Sequence, residues 1–464
     1  MLEQPFGRSH EGDNTMTQAP LGWLGILRLG LVQTALGAIV VLTTSTMNRV
    51  MVVELALPAM LPGALVALHY ALQILRPRFG YGSDLGGRRT PWIIGGMAVL
   101  ALGGFGAAVA TAWMASNPIA GIILATLAFV LIGAGVGASG TTLLVLLAQR
   151  VSPERRAAAA SMVWIMMIAG FVITATLAGQ FLDPFSTTRL VAVTGTVAGA
   201  AFLLTVIALG NLEGRPATPA KPATPEPETS FRTAMAEVWA EPHARRFAIF
   251  VFVSMLAYSA QDLILEPFAG LVFGFTPGES TKLAGVQHSG VMLGMILVGV
   301  AGSSRLRGRL GSLKTWTIGG CLASAVALSG LVVAGYVGPV WPFKTTVFVL
   351  GVANGAFAVA AIGSMMALVA AGRERREGVR MGLWGAAQAT AFGLGGFLGT
   401  VAIDLTRFLF DSPLPAYATV FAAEAVMFLV SAWLAARVGT AETPEPVPSR
   451  RAAPEGAPLA VAGG

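Results

Sequence analysis

Two short stretches of the chain set ionisable residues inside runs that are otherwise apolar. Met47-Asn48-Arg49-Val50-Met51-Val52-Val53-Glu54-Leu55 carries Arg49 and Glu54, and Tyr258-Ser259-Ala260-Gln261-Asp262-Leu263-Ile264-Leu265-Glu266-Pro267 carries Asp262 and Glu266. The four-residue spacing of Asp262 and Glu266 places both acids on one helix face. An unpaired charge in an apolar medium costs on the order of several kcal/mol, so such residues are expected to pair, to gate or to meet a polar ligand. Arg49 is expected to pair with Asp262 or Glu266 at an outer gate or a polar substrate contact. The plainer alternative is four solvated helix ends. His69 and His288 are the histidines of the apolar segments. A neutral imidazole can ligate a metal such as the magnesium of a chlorin, or relay protons, although a lone helical histidine is more commonly just hydrogen-bonded. His69 stands seven residues before Arg76 and His288 six after Lys282, which sets them at different depths. Glu424 and Asn354 are further isolated polar positions, and Glu424 has no evident partner.

The elements that hold these residues must be membrane helices. Hydrophobic residues make up 55% of the 464-residue chain, charged residues only 11%, and the formal charge is +7. With a mean hydropathy of +0.72, such a chain cannot cover itself with water-compatible surface, which excludes an ordinary soluble enzyme and a disordered protein. The single Cys321 excludes an internal disulfide. No Walker A loop, H-E-x-x-H, G-x-S-x-G or intramembrane D-x-x-x-D is present, so catalysis has no visible seat and no metal site is expected. The first 20 residues carry no signal-peptide pattern.

Twelve apolar spans follow, at roughly 24–47, 56–75, 91–112, 119–148, 159–180, 190–210, 246–270, 283–303, 315–336, 345–371, 380–403 and 416–437. Alternate loops and both tails gather 25 of the 30 basic residues, against five on the opposite side. That bias puts both termini in the cytoplasm and accounts for the basic excess without nucleic acid. The proline-rich stretch NLEGRPATPAKPATPEPETS at 211–230 reads as an extended or disordered linker between six spans and six. The organisation expected is a tail (1–23), a six-helix bundle (24–210), a linker (211–245), a second bundle (246–437) and a disordered tail (438–464). The bundles echo one another. Thr90-Pro91-Trp92-Ile93-Ile94-Gly95-Gly96 matches Thr315-Trp316-Thr317-Ile318-Gly319-Gly320, with the tryptophans 224 positions apart. Glu154-Arg155-Arg156 before Trp164 matches Glu374-Arg375-Arg376 before Trp384, 220 positions apart. A duplicated six-helix unit of this kind is the major facilitator architecture, an all-α membrane fold of 12 transmembrane helices in two halves.

The loop after the second span sharpens this. Gly80-Tyr81-Gly82-Ser83-Asp84-Leu85-Gly86-Gly87-Arg88-Arg89 fits the facilitator loop pattern G-x-x-x-D-[RK]-x-G-[RK]-[RK], except at Leu85. Gly80 and Gly87 permit the turn, Asp84 can take amide N–H groups or an arginine, and Arg88 and Arg89 anchor at the headgroups, a role in conformation rather than substrate choice. Residues 48–55 with Pro58, the Arg76-Pro77-Arg78-Phe79-Gly80-Tyr81-Gly82-Ser83-Asp84 loop, its continuation to Met97, and Gln261-Asp262-Leu263-Ile264-Leu265-Glu266-Pro267-Phe268 go further. They resemble the PucC/LhaA family of photosynthetic bacteria, in particular its branch labelled as a bacteriochlorophyll synthase chain. The resemblance implies a protein of the bacterial inner or intracytoplasmic photosynthetic membrane that aids bacteriochlorophyll delivery to light-harvesting complexes, or their assembly. Light-harvesting polypeptides and pigment-synthesis enzymes are the partners it implies, besides the bilayer, and bacteriochlorophyll or a precursor is the ligand. His69 and His288 are then candidate pigment ligands. A facilitator-type secondary transporter of a small molecule is the alternative. No acid or histidine stands at mid-depth in spans 1, 4 or 5, which favours the first.

Overall fold

The computed structural model describes residues 20–76, 79, 88–152, 155–213, 236, 239–301, 312–371 and 377–437. Every regular element among them is helical. In the first half these are α1 (Trp23–Glu54), α2 (Met60–Leu72), α3 (Thr90–Met114), α4 (Pro118–Arg150), α5 (Arg156–Phe181) and α6 (Thr187–Leu209). The second half has α7 (Pro242–Phe273), α8 (Pro277–Ala301), α9 (Leu313–Val337), α10 (Phe343–Ala371), α11 (Glu377–Phe410) and α12 (Pro413–Arg437). Eleven of them are long and apolar enough to cross a membrane, and α2, with 13 helical residues, is the short one among the described residues. The end of the bundle nearest residues 20 and 437 is called proximal here, and the opposite end distal.

Local signals set most boundaries. Proline opens α4, α7, α8 and α12, where its missing N–H costs nothing. Asn117, Ser186 and Ser312 cap α4, α6 and α9 by accepting the N–H of Ala120, Arg189 and Thr315 at 3.1, 3.1 and 3.2 Å. Gly274 closes α7 in the left-handed region at φ 70°. Two boundaries differ from expectation. The first span does not stop at 47 but runs on to Glu54, because nothing in residues 48–54 breaks a helix. Pro242 starts α7 inside the stretch read as linker. Residues 214–235 and 438–464 lie outside the described residues.

Two π-helical turns, Leu42–Thr46 and Val50–Glu54, bracket Met47–Arg49 within α1. Thr43 and Thr44 donate their hydroxyls to the carbonyl of Val40 at 2.8 and 3.0 Å, competition that loosens the regular ladder.

Each half has its own apolar core. One gathers Leu29, Leu36, Met97, Leu100, Phe129 and Leu143, the other Phe250, Phe268, Leu328, Phe357, Phe421 and Phe428. The duplication is visible in atomic detail. A Cβ at Gly96 would stand 2.6 Å from the Ser139 nitrogen of α4, and one at Gly320 would stand 2.8 Å from the Phe357 nitrogen of α10, whereas Gly95 and Gly319 face open space. The two cores meet along α5 with α8 and along α2 with α11.

Candidate functional site

Arg49 is only 2% exposed, so the solvated-end reading does not hold for it. Its partner is neither Asp262 nor Glu266. One guanidinium nitrogen pairs with Glu54 on the same helix, and the other donates to the carbonyl of Phe275, just past the end of α7, at 2.6 Å. The expected cross-half ion pair is thus replaced by an intrahelical pair plus a cross-half bond to a backbone carbonyl. Phe275 follows the left-handed Gly274, which turns that carbonyl toward α1. Glu266 is within electrostatic range of Arg49 but not hydrogen-bonded to it, and neither of its carboxylate oxygens has a partner among the described residues. Arg49 and Glu54 line a distal vestibule of about 660 Å³ with Asp183, Phe275, Thr276 and Glu279.

One turn deeper, Pro267 lies inside α7 and removes the N–H that would bond the Leu263 carbonyl. Asn48 of α1 supplies the replacement, donating to that carbonyl at 2.6 Å. Thr46 and Thr281 join α1 to α8 by a hydroxyl pair at 3.0 Å. The face of α1 from Thr46 to Arg49 is therefore committed to the second half.

Asp262 faces the middle of the molecule. Its one hydrogen bond among the described residues is a long 3.5 Å contact from the Gln287 amide. Tyr70 of α2, Tyr258 of α7 and Glu424 of α12 stand within electrostatic range of it. Ring contacts fix the depth. Phe421 packs 5.0 Å from Phe268, Phe428 packs 5.8 Å from Phe357, and Phe357 packs 6.4 Å from Tyr258. Glu424, between Phe421 and Phe428, therefore lies level with the Asp262 turn of the antiparallel α7. Its carboxylate has no hydrogen-bond partner among the described residues. The sequence left Glu424 without a neighbour, and the packing of α12 on α7 supplies Asp262. Tyr70 and Tyr258 sandwich Phe392 of α11 at 5.6 and 5.8 Å, closing the cluster on its proximal side. Asn354 is committed to structure, accepting from Ser324 at 2.8 Å.

The histidines separate as expected, and their environments differ. His69 is 2% exposed; its Nε2 accepts from the Gln73 amide at 3.1 Å, which leaves the proton on a buried Nδ1. Its lone pair is thus engaged by Gln73, and its other nitrogen is buried without a hydrogen-bond partner among the described residues. His288 is half-buried on the α5–α8 seam, with Phe171 edge-on at 4.9 Å. Its Nδ1 donates to the Ala284 carbonyl at 2.8 Å, so the lone pair rests on Nε2, which has no hydrogen-bond partner among the described residues.

Of the facilitator-type loop, Gly80, Asp84 and Gly87 lie outside the described residues. Arg88 is exposed and Arg89 buried at the start of α3. The N–H groups of Arg89 and Thr90 donate to the Glu213 carboxylate, the latter at 2.8 Å, while Arg150 donates to the Glu213 carbonyl at 2.5 Å. Glu213 thereby caps α3 and ties it to the end of α4. Glu213 falls in the stretch expected to be linker, and the only sequence signal for its role is an acid just beyond α6.

A family model described as "PUCC protein" matches residues 46–443. The chain is 53% identical over 429 residues to the "Bacteriochlorophyll synthase 44.5 kDa chain" of Rhodobacter capsulatus, covering 92% of this chain and 98% of that one. It is 30% identical over 443 residues to "Protein PucC" of the same organism, covering 90% and 92%. Among solved structures, the peptide transporter POT superposes with a TM-score of 0.63 at 13% identity, covering 91% of this chain and 97% of that one. A bacterial homologue of the lysosomal transporter Spinster superposes with a TM-score of 0.62 at 17% identity, covering 89% and 96%. At such identity these show the fold, that of the major facilitators. This chain belongs to the PucC protein family.

Proposed function

We propose that this protein handles bacteriochlorophyll or a precursor in a bacterial photosynthetic membrane, delivering it to light-harvesting complexes or aiding their assembly, and that it is not itself a synthase. Family membership and the 53% identity to a chain named for bacteriochlorophyll support the pigment class. The observation that carries the reading is His288. A chlorin supplies a magnesium that takes one axial ligand. His288 offers an imidazole whose tautomer is held by Ala284, whose Nε2 is unbonded among the described residues, and which sits half-buried between the halves. His69 does not fit that role. The test is to purify the protein from bacteriochlorophyll-replete membranes and record its absorption. Wild type is expected to carry a chlorin band that His288→Ala loses and His69→Ala keeps. A colourless wild-type preparation overturns the reading. Light-harvesting polypeptides and pigment-synthesis enzymes are the partners this role requires. The 25-to-5 split of basic residues supports a location in the inner membrane with both termini cytoplasmic.

The alternative, secondary transport of a small molecule, gains one observation of its own. Tyr258 and Glu424 of the second half and Tyr70 of the first stand within electrostatic range of Asp262 at the contact between the halves, where a transporter would load a proton or a polar solute. Counterflow in proteoliposomes that Asp262→Asn abolishes, with the chlorin band absent, would establish transport instead.

A further inference from the structure

We infer that Asp183 and Asp404 form a two-fold-related pair of latches that hold the distal ends of the two halves together, and that their release lets the halves part at that end. Asp183 follows α5 and accepts from the Thr276 hydroxyl at 2.7 Å and from the Gly278 N–H at 3.1 Å, at the start of α8. Asp404, in the last turns of α11, accepts from the N–H groups of Ala59 and Met60 at 2.9 and 2.7 Å, at the start of α2. Each carboxylate from one half thus caps the first turn of a helix in the other. There the unsatisfied amides and the positive end of the dipole favour an anion. The two acids are 221 positions apart, close to the 220 and 224 that separate the other repeated features.

The pairing extends one turn inward. Gly179 approaches the Gly278 carbonyl so closely that a Cβ there would stand 2.6 Å from it, and Gly63 is pressed against the Thr400 hydroxyl. Gly179 and Thr400, again 221 apart, stand four residues before their aspartates. Both seams therefore repeat one device, a close small-residue crossing topped by a carboxylate.

The surroundings favour a device that opens. The two large apolar cores lie mostly within the halves, with Val52, Ala59 and Leu263 the residues that cross, so each half is a body that can move largely as a unit. The bonds of Asp183 to Thr276 and of Asp404 to Met60 involve exposed groups, and Asp183 lines the distal vestibule. Water can replace such partners at little cost, unlike the contacts of an apolar core. The sequence alone could not pair these acids, because three of the four donors are backbone amides. The inference is independent of what the protein carries.

The test uses the full chain in lipid nanodiscs, with spin labels at Asn117→Cys and Val340→Cys, exposed distal positions in opposite halves. Cys321 is buried and stays unlabelled. The parent is expected to give mainly the shorter distance. Asp183→Ala or Asp404→Ala should each raise the ratio of longer to shorter distances roughly tenfold, and the pair roughly a hundredfold. Alkylation of Val53→Cys in the vestibule by a membrane-impermeant maleimide should accelerate in parallel. If the alanine pair does not accumulate, Asp183→Asn with Asp404→Asn, which keeps the shape and removes the charge, is read in the same way. Unchanged distances and labelling rates in the double variant would overturn the inference and leave the aspartates as static caps.

Discussion

Arg49 takes its role from its partners, and those partners set what substitution will do. Removing Arg49 leaves Glu54 unpaired and the Phe275 carbonyl without its donor. Arg49→Ala is expected to cost about 1.5–3 kcal/mol, the range for hydrogen bonds to charged groups, read as a lower unfolding temperature in detergent. Because Arg49 and Glu54 share one interaction, the double variant Arg49→Ala/Glu54→Ala should lose less than the sum of the singles. Arg49→Ala with Asp262→Ala should be additive within about 0.5 kcal/mol, since those residues share no bond. A coupling between Arg49 and Asp262 larger than that between Arg49 and Glu54 would contradict the observed pairing. The ionisable residues themselves were legible in the sequence, since an arginine or acid in an apolar run stands out. Their partners were not. The bonds of Arg49 and Asn48 go to the backbone carbonyls of Phe275 and Leu263, which every residue possesses and no pattern marks.

Among the helices, close approach governs stability. In the second half Gly290 and Gly294 of α8 interlock with Gly351 and Gly355 of α10, each facing a carbonyl of the other helix where a Cβ has no room. This is small-residue packing at four-residue spacing, the means by which helices associate where lipid removes the hydrophobic drive. Gly294→Leu or Gly355→Leu is expected to destabilise the half by about 1–3 kcal/mol or to block accumulation, while Gly319→Ala, in open space, should be neutral within about 0.5 kcal/mol. Equal thermal stability of Gly355→Leu and Gly319→Ala would refute this packing. At the proximal end, Glu213→Ala should cost about 1–2 kcal/mol by uncapping α3, measurable as faster proteolysis near residue 89. Abundant glycine was legible as a sign of close packing. Which glycines face a backbone and which face open space depends on helix rotation, and Gly95 and Gly96 show opposite answers one residue apart.

For the whole molecule, orientation is open to a direct test. Cys321 is buried, so a single added cysteine reports alone. Val340→Cys, at a position 89% exposed between α9 and α10, is expected to react with an impermeant maleimide from the periplasmic face of spheroplasts. Ala223→Cys in the linker is expected to react only after permeabilisation. The reverse pattern would invert the topology. By itself the sequence determined the membrane class, the all-helical facilitator fold and the family. Each of these rests on local composition or on a repeat along the chain, and the low dielectric of the bilayer enforces both by requiring long apolar helices. Only the tertiary structure decided that Glu424 lies within electrostatic range of Asp262, that the unbonded nitrogen of His288 carries a lone pair while that of His69 carries a buried proton, and that two aspartates cap helices of the opposite half. The physical reason is that these are contacts between helices distant in sequence. They depend on the rotation and depth at which each helix packs, and a stretch of apolar residues leaves both undetermined.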